Sequence, residues 1–336
     1  MIIKSVKLTN FRNHSYLHLH CNQATTLILG QNGWGKTSIL EAIYMLTRGK
    51  SFRATDKEIL KHDADFYRIE LEYQKGEKVT ATYNNQTKIF SVSDQKTKRL
   101  PKKYKYPVVL FLPSDLNLIS HSPGRRREYF DRVFAEFDDL YASALSKYNK
   151  ALKQRNELLK KESLHQDMLF SWNILLAKYG SDLYTFRKKF IQEINTKLTT
   201  VYHSIADNED VVVLNYHTEL TNDKTETYLK KLESSFEKDL YLGHTTFGIH
   251  RDDYLFNLNH KLADGSASRG ETRSIILSLK FIEAELIHQK TSLSPVVLLD
   301  DVFSELDNKR RHCLVKNFKD NQVILTSVED ISISSK

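Results

Sequence analysis

Residues 30–37 read Gly30-Gln31-Asn32-Gly33-Trp34-Gly35-Lys36-Thr37, the spacing G-x-x-x-x-G-K-[ST]. Each residue type in that spacing has a chemical reason. The glycines let the backbone turn sharply and aim its N–H groups inward. Lys36 supplies a cation for the β- and γ-phosphates of a nucleotide, and Thr37 offers a hydroxyl to Mg²⁺. A helix starting there adds its positive N-terminal end. Context separates such a loop from a glycine-rich surface turn. Thr25-Thr26-Leu27-Ile28-Leu29 reads as a buried strand before it. After it, Ile39, Leu40, Ile43 and Leu46 recur at helical spacing, which predicts a helix over 36–47.

A second stretch completes the site. Val296-Val297-Leu298-Leu299 is apolar throughout, as in a strand buried on both faces, and it ends in Asp300-Asp301. Acidic residues at the C-terminal end of a parallel strand lie where α/β sheets bind ligands. Asp300 is placed to hold Mg²⁺, and Asp301 to orient or deprotonate the attacking water, with Lys36 as its catalytic companion. Lys36 and Asp300 are 264 residues apart, so something large is inserted between the two halves. Some 28 residues before the acidic strand, Ser268-Arg269-Gly270-Glu271 opens another helix, and a small hydroxyl residue with a glycine there forms a further anion site.

Working outward, residues 2–8, 16–20, 25–29, 66–73, 78–83, 87–91 and 108–112 read as strands, with Asn84-Asn85 as a hairpin turn. Arg68-Ile69-Glu70-Leu71-Glu72-Tyr73 alternates as a half-buried antiparallel strand does. From Ser114 the period changes. Phe130, Val133, Phe134, Phe137, Tyr141, Tyr148 and Leu152, then Leu169, Trp172, Leu176, Leu183, Phe190 and Leu198, recur at helical steps. Asp138-Asp139 is placed to cap a new helix, and a joint near 162–166 makes the long pair a helical hairpin whose aromatic residues are its core. A strand over 211–217, a helix over 225–239 and strands over 245–249 and 254–259 follow. The chain closes with helix 270–289, strand 296–300, helix 309–317 and strand 322–326. That final alternation implies βαβ units in a parallel sheet. The expected domains are therefore a head of 1–113 with 243–336 and a mainly helical insertion of 114–242.

Composition excludes several classes. Of 336 residues, 11 are glycine and 5 proline, too few for collagen-like or low-complexity chains. Cys21 and Cys313 have no metal-ligand spacing and exclude a disulfide scaffold, so a reducing cytoplasm is the expectation. No apolar run approaches the ~20 residues of a membrane helix. The net charge of +8 permits a nucleic-acid partner without proving one. Between Lys88 and Tyr106 there are seven Lys or Arg and one acidic residue, Asp94; Lys98, Arg99, Lys102, Lys103 and Lys105 are the candidate DNA contacts, sequence-independent in kind. Arg125-Arg126-Arg127 opens a helix, where the dipole disfavours cations, which points to a phosphate or an acidic partner.

The order of these pieces resembles the ABC-type ATPase head shared by SMC proteins and their recombination relatives. The match narrows to the RecF family through Leu8-Thr9-Asn10-Phe11-Arg12-Asn13, Gly49-Lys50-Ser51-Phe52-Arg53, Pro113-Ser114-Asp115-Leu116, Gln154-Arg155-Asn156, Gly248-Ile249-His250-Arg251-Asp252-Asp253 and the stretch from Leu298 to Asp307. The resemblance implies an α/β fold: a P-loop ATPase head with a mixed-sheet lobe and a parallel-sheet lobe, interrupted by a helical domain. It makes residues 268–271 the signature motif, which completes the nucleotide site of a second subunit, so that two ATP molecules are sandwiched in a homodimer. Ser304-Glu305-Leu306-Asp307 would be the D-loop, and Thr326 lies near the switch position.

It further implies a DNA replication, recombination and repair ATPase, active in the SOS response and located in the cytoplasm at the nucleoid. Such a protein closes on double-stranded DNA near gaps and hydrolyses ATP slowly. RecR and RecO are its implied partners, with RecA loaded indirectly. The alternative is an SMC-like or defence-system ATPase with indirect DNA contact; a transporter subunit is opposed by the RecF-type N-terminus and the helical hairpin. The departures are Ile249 where the family has proline, Glu271-Thr272 where it has two glutamines, a bulky Trp34, and no glutamine in 110–116 for a Q-loop. They bear on hydrolysis rate more than on ATP binding.

Overall fold

The alternation at 68–73 becomes strand Phe66–Tyr73, whose inward residues Tyr67, Ile69, Leu71 and Tyr73 are buried. In the computed structural model, which describes residues 2–84, 86–93, 95–161 and 166–328, this strand sits inside a six-stranded antiparallel sheet. The order is His14–His20, Ile3–Phe11, Phe66–Tyr73, Lys78–Asn84, Thr87–Val92, Gln95–Thr97. The apolar runs Val296–Leu299 and Val108–Phe111 join Thr25–Leu29 and Val323–Ser327 in a second sheet, of four parallel strands in the order Thr25–Leu29, Val323–Ser327, Val296–Leu299 and Val108–Phe111. The last three are buried along their whole length, which is why they carry no polar alternation.

Helix Lys36–Arg48 shares one core with residues of both sheets, burying Leu40, Ala42, Ile43, Met45 and Leu46 completely. It stops at Gly49, whose φ of 82° turns the chain while its N–H caps the Met45 carbonyl at 2.8 Å. These elements belong to one compact unit, Met1–Asp115 with Glu283–Lys336.

The other unit is Leu116–Ile282. Its long helices, Asp139–Leu159 and Gln166–Ala206, pack against each other, and the 41 residues of the second span about 60 Å. Asp138 caps the first of them, accepting from the N–H groups of Leu140 and Tyr141 at 2.8 and 3.1 Å. Phe130, Phe134, Tyr141, Phe190 and Tyr254 form its aromatic core, with the Phe134 and Phe190 centroids 4.8 Å apart. The expected turn at Asn85, the joint at 162–165 and Asp94 lie outside the described residues.

Three expectations differ from the structure. The second boundary falls at 282/283 rather than 242/243. The reason is pairing: strand Val212–His217 takes strand Asp253–Leu258, and with it Lys261–Leu262, into a three-stranded antiparallel sheet of the second unit. No strand forms over 245–249. The N–H groups of Thr245 and Thr246 are taken by the side chains of Asn156 and Asp239, at 2.9 and 2.7 Å, and are not available to a ladder. The helix over 225–239 is two helices, Thr225–Ser234 and Phe236–Leu242, broken at Ser235.

Candidate nucleotide site

The loop 30–37 leaves strand Thr25–Leu29 and enters helix Lys36–Arg48. Gly33 and Gly35 have φ of 84° and 85°, a region open to glycine at little cost. Lys36 is buried, and its ammonium donates to the carbonyls of Gly30 and Gln31 at 2.8 and 3.4 Å. The same nitrogen stands 3.5 Å from Asp301 Oδ2. Trp34 is 64% exposed and outside the cavity.

Thr37 is where the two halves meet. Its hydroxyl donates to both Asp300 oxygens, at 2.8 and 3.0 Å, across 263 residues of chain. The intervening strand supplies Thr326, whose Oγ1 donates to Asp300 Oδ1 at 3.1 Å and accepts from the N–H of Asp301 at 2.8 Å. Burial pushes the Asp300 carboxyl above its ordinary value, against the hydrogen bonds of Thr37 and Thr326. Asp301 is in the left-handed region at φ 48°, and its Oδ1 is buried with no hydrogen-bond partner among the described residues. A hard-oxygen pair, Thr37 and Asp300, beside an orphaned carboxylate oxygen fits a magnesium ion that takes few ligands from protein and the rest from phosphate and water. No group of three or more His, Cys, Asp or Glu forms a metal cage among the described residues.

A cavity of about 510 Å³ opens over this constellation, within the size range of small-molecule sites. Gln31, Asn32, Gly33, Gly35, Lys36, Thr37 and Asp301 line it, together with Arg12 and Arg53. Both arginines are held by Glu41, which is fully buried in the helix after the loop. Arg12 donates to it at 2.9 and 2.8 Å, and Arg53 at 3.0 and 2.9 Å, with the Ser51 hydroxyl at 2.6 Å. Burial raises the Glu41 carboxyl, but the hydrogen bonds of Arg12, Arg53 and Ser51 outweigh it and hold it below its ordinary value. Sequence reasoning marked Arg12 and Arg53 only by resemblance and missed Glu41. Its signal was there: a carboxylate between Leu40 and Ala42, on the buried side of an amphipathic helix.

The remaining residues singled out in the sequence stand elsewhere. Ser268, Arg269, Gly270 and Glu271 lie at the start of helix Arg269–Thr291, in the second unit. Ser268 N–H donates to Glu271 Oε2 at 2.6 Å, and Glu271 N–H donates to Ser268 Oγ at 3.2 Å. This capping box gives Glu271, one of the departures, a local reason. Ile249 has one too: its N–H donates to Tyr228 Oη at 3.3 Å, a bond proline has no hydrogen to make.

Lys98, Arg99, Lys102, Lys103 and Lys105 are all exposed, beyond edge strand Gln95–Thr97. The arginine run differs from expectation. Arg125 is exposed, but Arg126 is buried in a two-point pair with Asp253 at 2.7 and 2.6 Å, and Arg127 donates to the Asp252 carbonyl at 2.6 Å. Two of the three arginines therefore hold the second unit together. Arg155 and Asn156 do likewise, bonding Asp239 and Thr245.

The family model described as AAA ATPase domain matches residues 1–294. The DNA replication and repair protein RecF of Agathobacter rectalis is 35% identical over 335 residues, covering 97% of this chain and 92% of that protein. A solved structure of the recombination mediator protein RecF with ATP, in the RecFOR pathway, superposes with a TM-score of 0.87 at 28% identity, covering 99% of this chain and 93% of that one. The Smc head domain of Pyrococcus furiosus, at TM-score 0.52 and 14% identity over 98% of this chain and 90% of that one, shares the fold.

Proposed function

Because the chain belongs to the RecF family of DNA replication and repair proteins, we propose that it is an ATP-switched DNA clamp, in which Mg-ATP closes two copies on double-stranded DNA near a single-strand gap. Slow, DNA-stimulated hydrolysis then releases it. The observation that carries this reading is the direct contact of Thr37 with Asp300 beside the unpartnered Asp301 oxygen.

In this reading Lys36 and the loop N–H groups hold the phosphates, and Thr37 and Asp300 hold Mg²⁺. The ion, when bound, neutralises charge on the β- and γ-phosphates. Asp301 orients or deprotonates the attacking water. Ser268, Arg269, Gly270 and Glu271 complete the site of the second copy, and ATP acts by mass action on dimerisation. The first unit with the signature helix forms the ATPase head, and the long helices of the second unit are the insertion. Lys98, Arg99, Lys102, Lys103 and Lys105 track DNA phosphates. RecR and RecO are the protein partners, RecA is loaded indirectly, and the protein works in the cytoplasm at the nucleoid. Among the described residues no helix is long and apolar enough to cross a membrane.

The test is sedimentation mass with and without Mg-ATP, each with and without a gapped duplex. A monomer that becomes a dimer with Mg-ATP, more so with the duplex, is the expected result. The same protein carrying Ser268→Arg should bind ATP and stay monomeric. A monomer under all conditions would overturn the clamp and favour the SMC-like reading with indirect DNA contact.

A further inference from the structure

The turn joining strands Ile3–Phe11 and His14–His20 lies against the phosphate loop. Phe11 pairs with His14, so Arg12 and Asn13 are the two turn residues. Arg12 has φ 56°, and Asn10, two residues earlier, φ 51°. At the first position of a two-residue hairpin turn, a positive φ favours glycine. A larger residue persists there when surrounding contacts over-determine it, and such positions cluster at functional sites. The contacts are present. Arg12 N–H donates to the Ile59 carbonyl at 2.8 Å, and its guanidinium donates to Glu41 at 2.9 and 2.8 Å and to the Glu58 carbonyl at 3.0 Å.

With Arg12 anchored, the next two side chains reach the loop. Asn13 Nδ2 donates to the carbonyl of Gly33 at 3.1 Å, and His14 Nε2 lies 3.1 Å from the carbonyl of Gly35. A carbonyl only accepts, so His14 carries its proton on Nε2 in that contact. The fit is close: a Cβ at Gly35 would collide with both Asn13 and His14. Glycine at 35 lets the two side-chain tips come this close without displacement, and its φ of 85° favours glycine independently. In a trans peptide the carbonyl and the following N–H point opposite ways. Holding the Gly33 and Gly35 carbonyls from outside therefore fixes the direction of the N–H groups of Trp34 and Lys36. The Gly35 carbonyl also accepts from Ser38 N–H at 2.9 Å, so the Lys36 N–H faces back out of the helix, toward the mouth of the loop.

We propose that Asn13 and His14 are positioning residues of the nucleotide site: the hairpin tip presets the phosphate loop, so nucleotide binds without first ordering it. The inference rests on the loop being a nucleotide site. Its benefit is preorganisation, which raises affinity by removing an ordering cost. ATP and ADP should gain alike, because both use the loop.

Two readouts test it in the full chain: the Kd for Mg-ATP and for Mg-ADP by calorimetry, and amide hydrogen exchange of residues 30–37 without nucleotide. Asn13→Leu, at an exposed position, and His14→Phe should each weaken both nucleotides about tenfold, the scale of one lost hydrogen bond, and speed loop exchange. His14→Gln keeps a donor and should bind within about threefold of the unaltered protein. Unchanged Kd and exchange in Asn13→Leu and His14→Phe would overturn the inference alone. A loss in His14→Gln with none in His14→Phe would show that ring packing, and not the donated bond, is what matters, and would overturn the inference at His14. An unaltered protein that binds no Mg-ATP would overturn the nucleotide reading first and this one with it.

Discussion

Lys36 and Arg187 are both buried cations, one in each unit, and their surroundings differ. Every nitrogen of Arg187 is engaged: Nε with Tyr141 Oη at 3.1 Å, Nη1 with the Ile249 carbonyl and Asp252 at 2.8 and 3.1 Å, Nη2 with Asp131 at 2.8 Å. Aromatic rings close the space around it, Tyr254 among them. Lys36 instead lines a cavity of about 510 Å³, and the carboxylate beside it, Asp301, has a buried oxygen with no partner among the described residues. A buried charge costs several kcal/mol of desolvation and survives only with partners. Where the protein supplies all of them, the charge specifies packing. Where an oxygen is left over beside open space, the geometry is arranged for something that arrives.

Four measurements would break or sharpen that contrast. The largest effect is expected for Arg187→Met, which leaves Asp252 and Asp131 without their cation. It should cost about 3–5 kcal/mol in urea unfolding; a loss below about 1 kcal/mol would move Arg187 out of the structural class. Asp301→Asn should do the reverse. Stability and ATP binding should hold, while steady-state ATP hydrolysis falls about 10²-fold or more, the usual worth of a positioned acid–base group. Unchanged turnover would remove Asp301 from the chemistry.

The third concerns His250, which donates from Nε2 to the Thr245 carbonyl at 3.1 Å and accepts from Tyr148 at 2.8 Å. Burial pushes its pKa from 6.5 down to about 4. The folded state thus refuses a proton that the unfolded state takes. The stabilisation is complete above pH ~6.5, declines as pH falls toward ~4 and is gone below, a swing of roughly 3 kcal/mol. Unfolding free energies of the unaltered chain and His250→Asn across that window should converge on acidification; parallel curves would mean that His250 titrates normally. The smallest effect belongs to Arg125→Ala. Its pair with Glu128 is about 70% exposed on both sides, so the change should stay within about 0.5 kcal/mol by thermal melting. The neighbouring Arg126, buried against Asp253, gives that figure its meaning.

Legibility followed distance along the chain. The alternation at 68–73, the apolar run 296–299 and the helical steps after Ser114 each report how a few neighbouring residues divide between core and water, and each formed the expected type of element. The loop 30–37 was legible because its glycines, lysine and threonine act within eight residues. Glu41 was not, since its role depends on Arg12 and Arg53 arriving from other elements. Nor was the split between Arg125, exposed, and Arg126, buried, because helical spacing places a residue on a face without saying what meets that face. The strand expected over 245–249 failed for a similar reason: the side chains of Asn156, 89 residues away, and Asp239, seven residues back, satisfy the backbone there.

The sequence by itself determined the α/β class, the glycine-rich loop 30–37 with its flanking strand and helix, the acidic strand end and the long helices between the two. Those depend on period and spacing, which local sterics and burial translate directly into secondary structure. Only the tertiary structure decided that the second unit runs to Ile282, that Thr37 meets Asp300 across 263 residues, and that the hairpin tip at Asn13 and His14 bears on the phosphate loop. Such contacts are chosen by which faces bury together, a property of the whole core that no local pattern encodes.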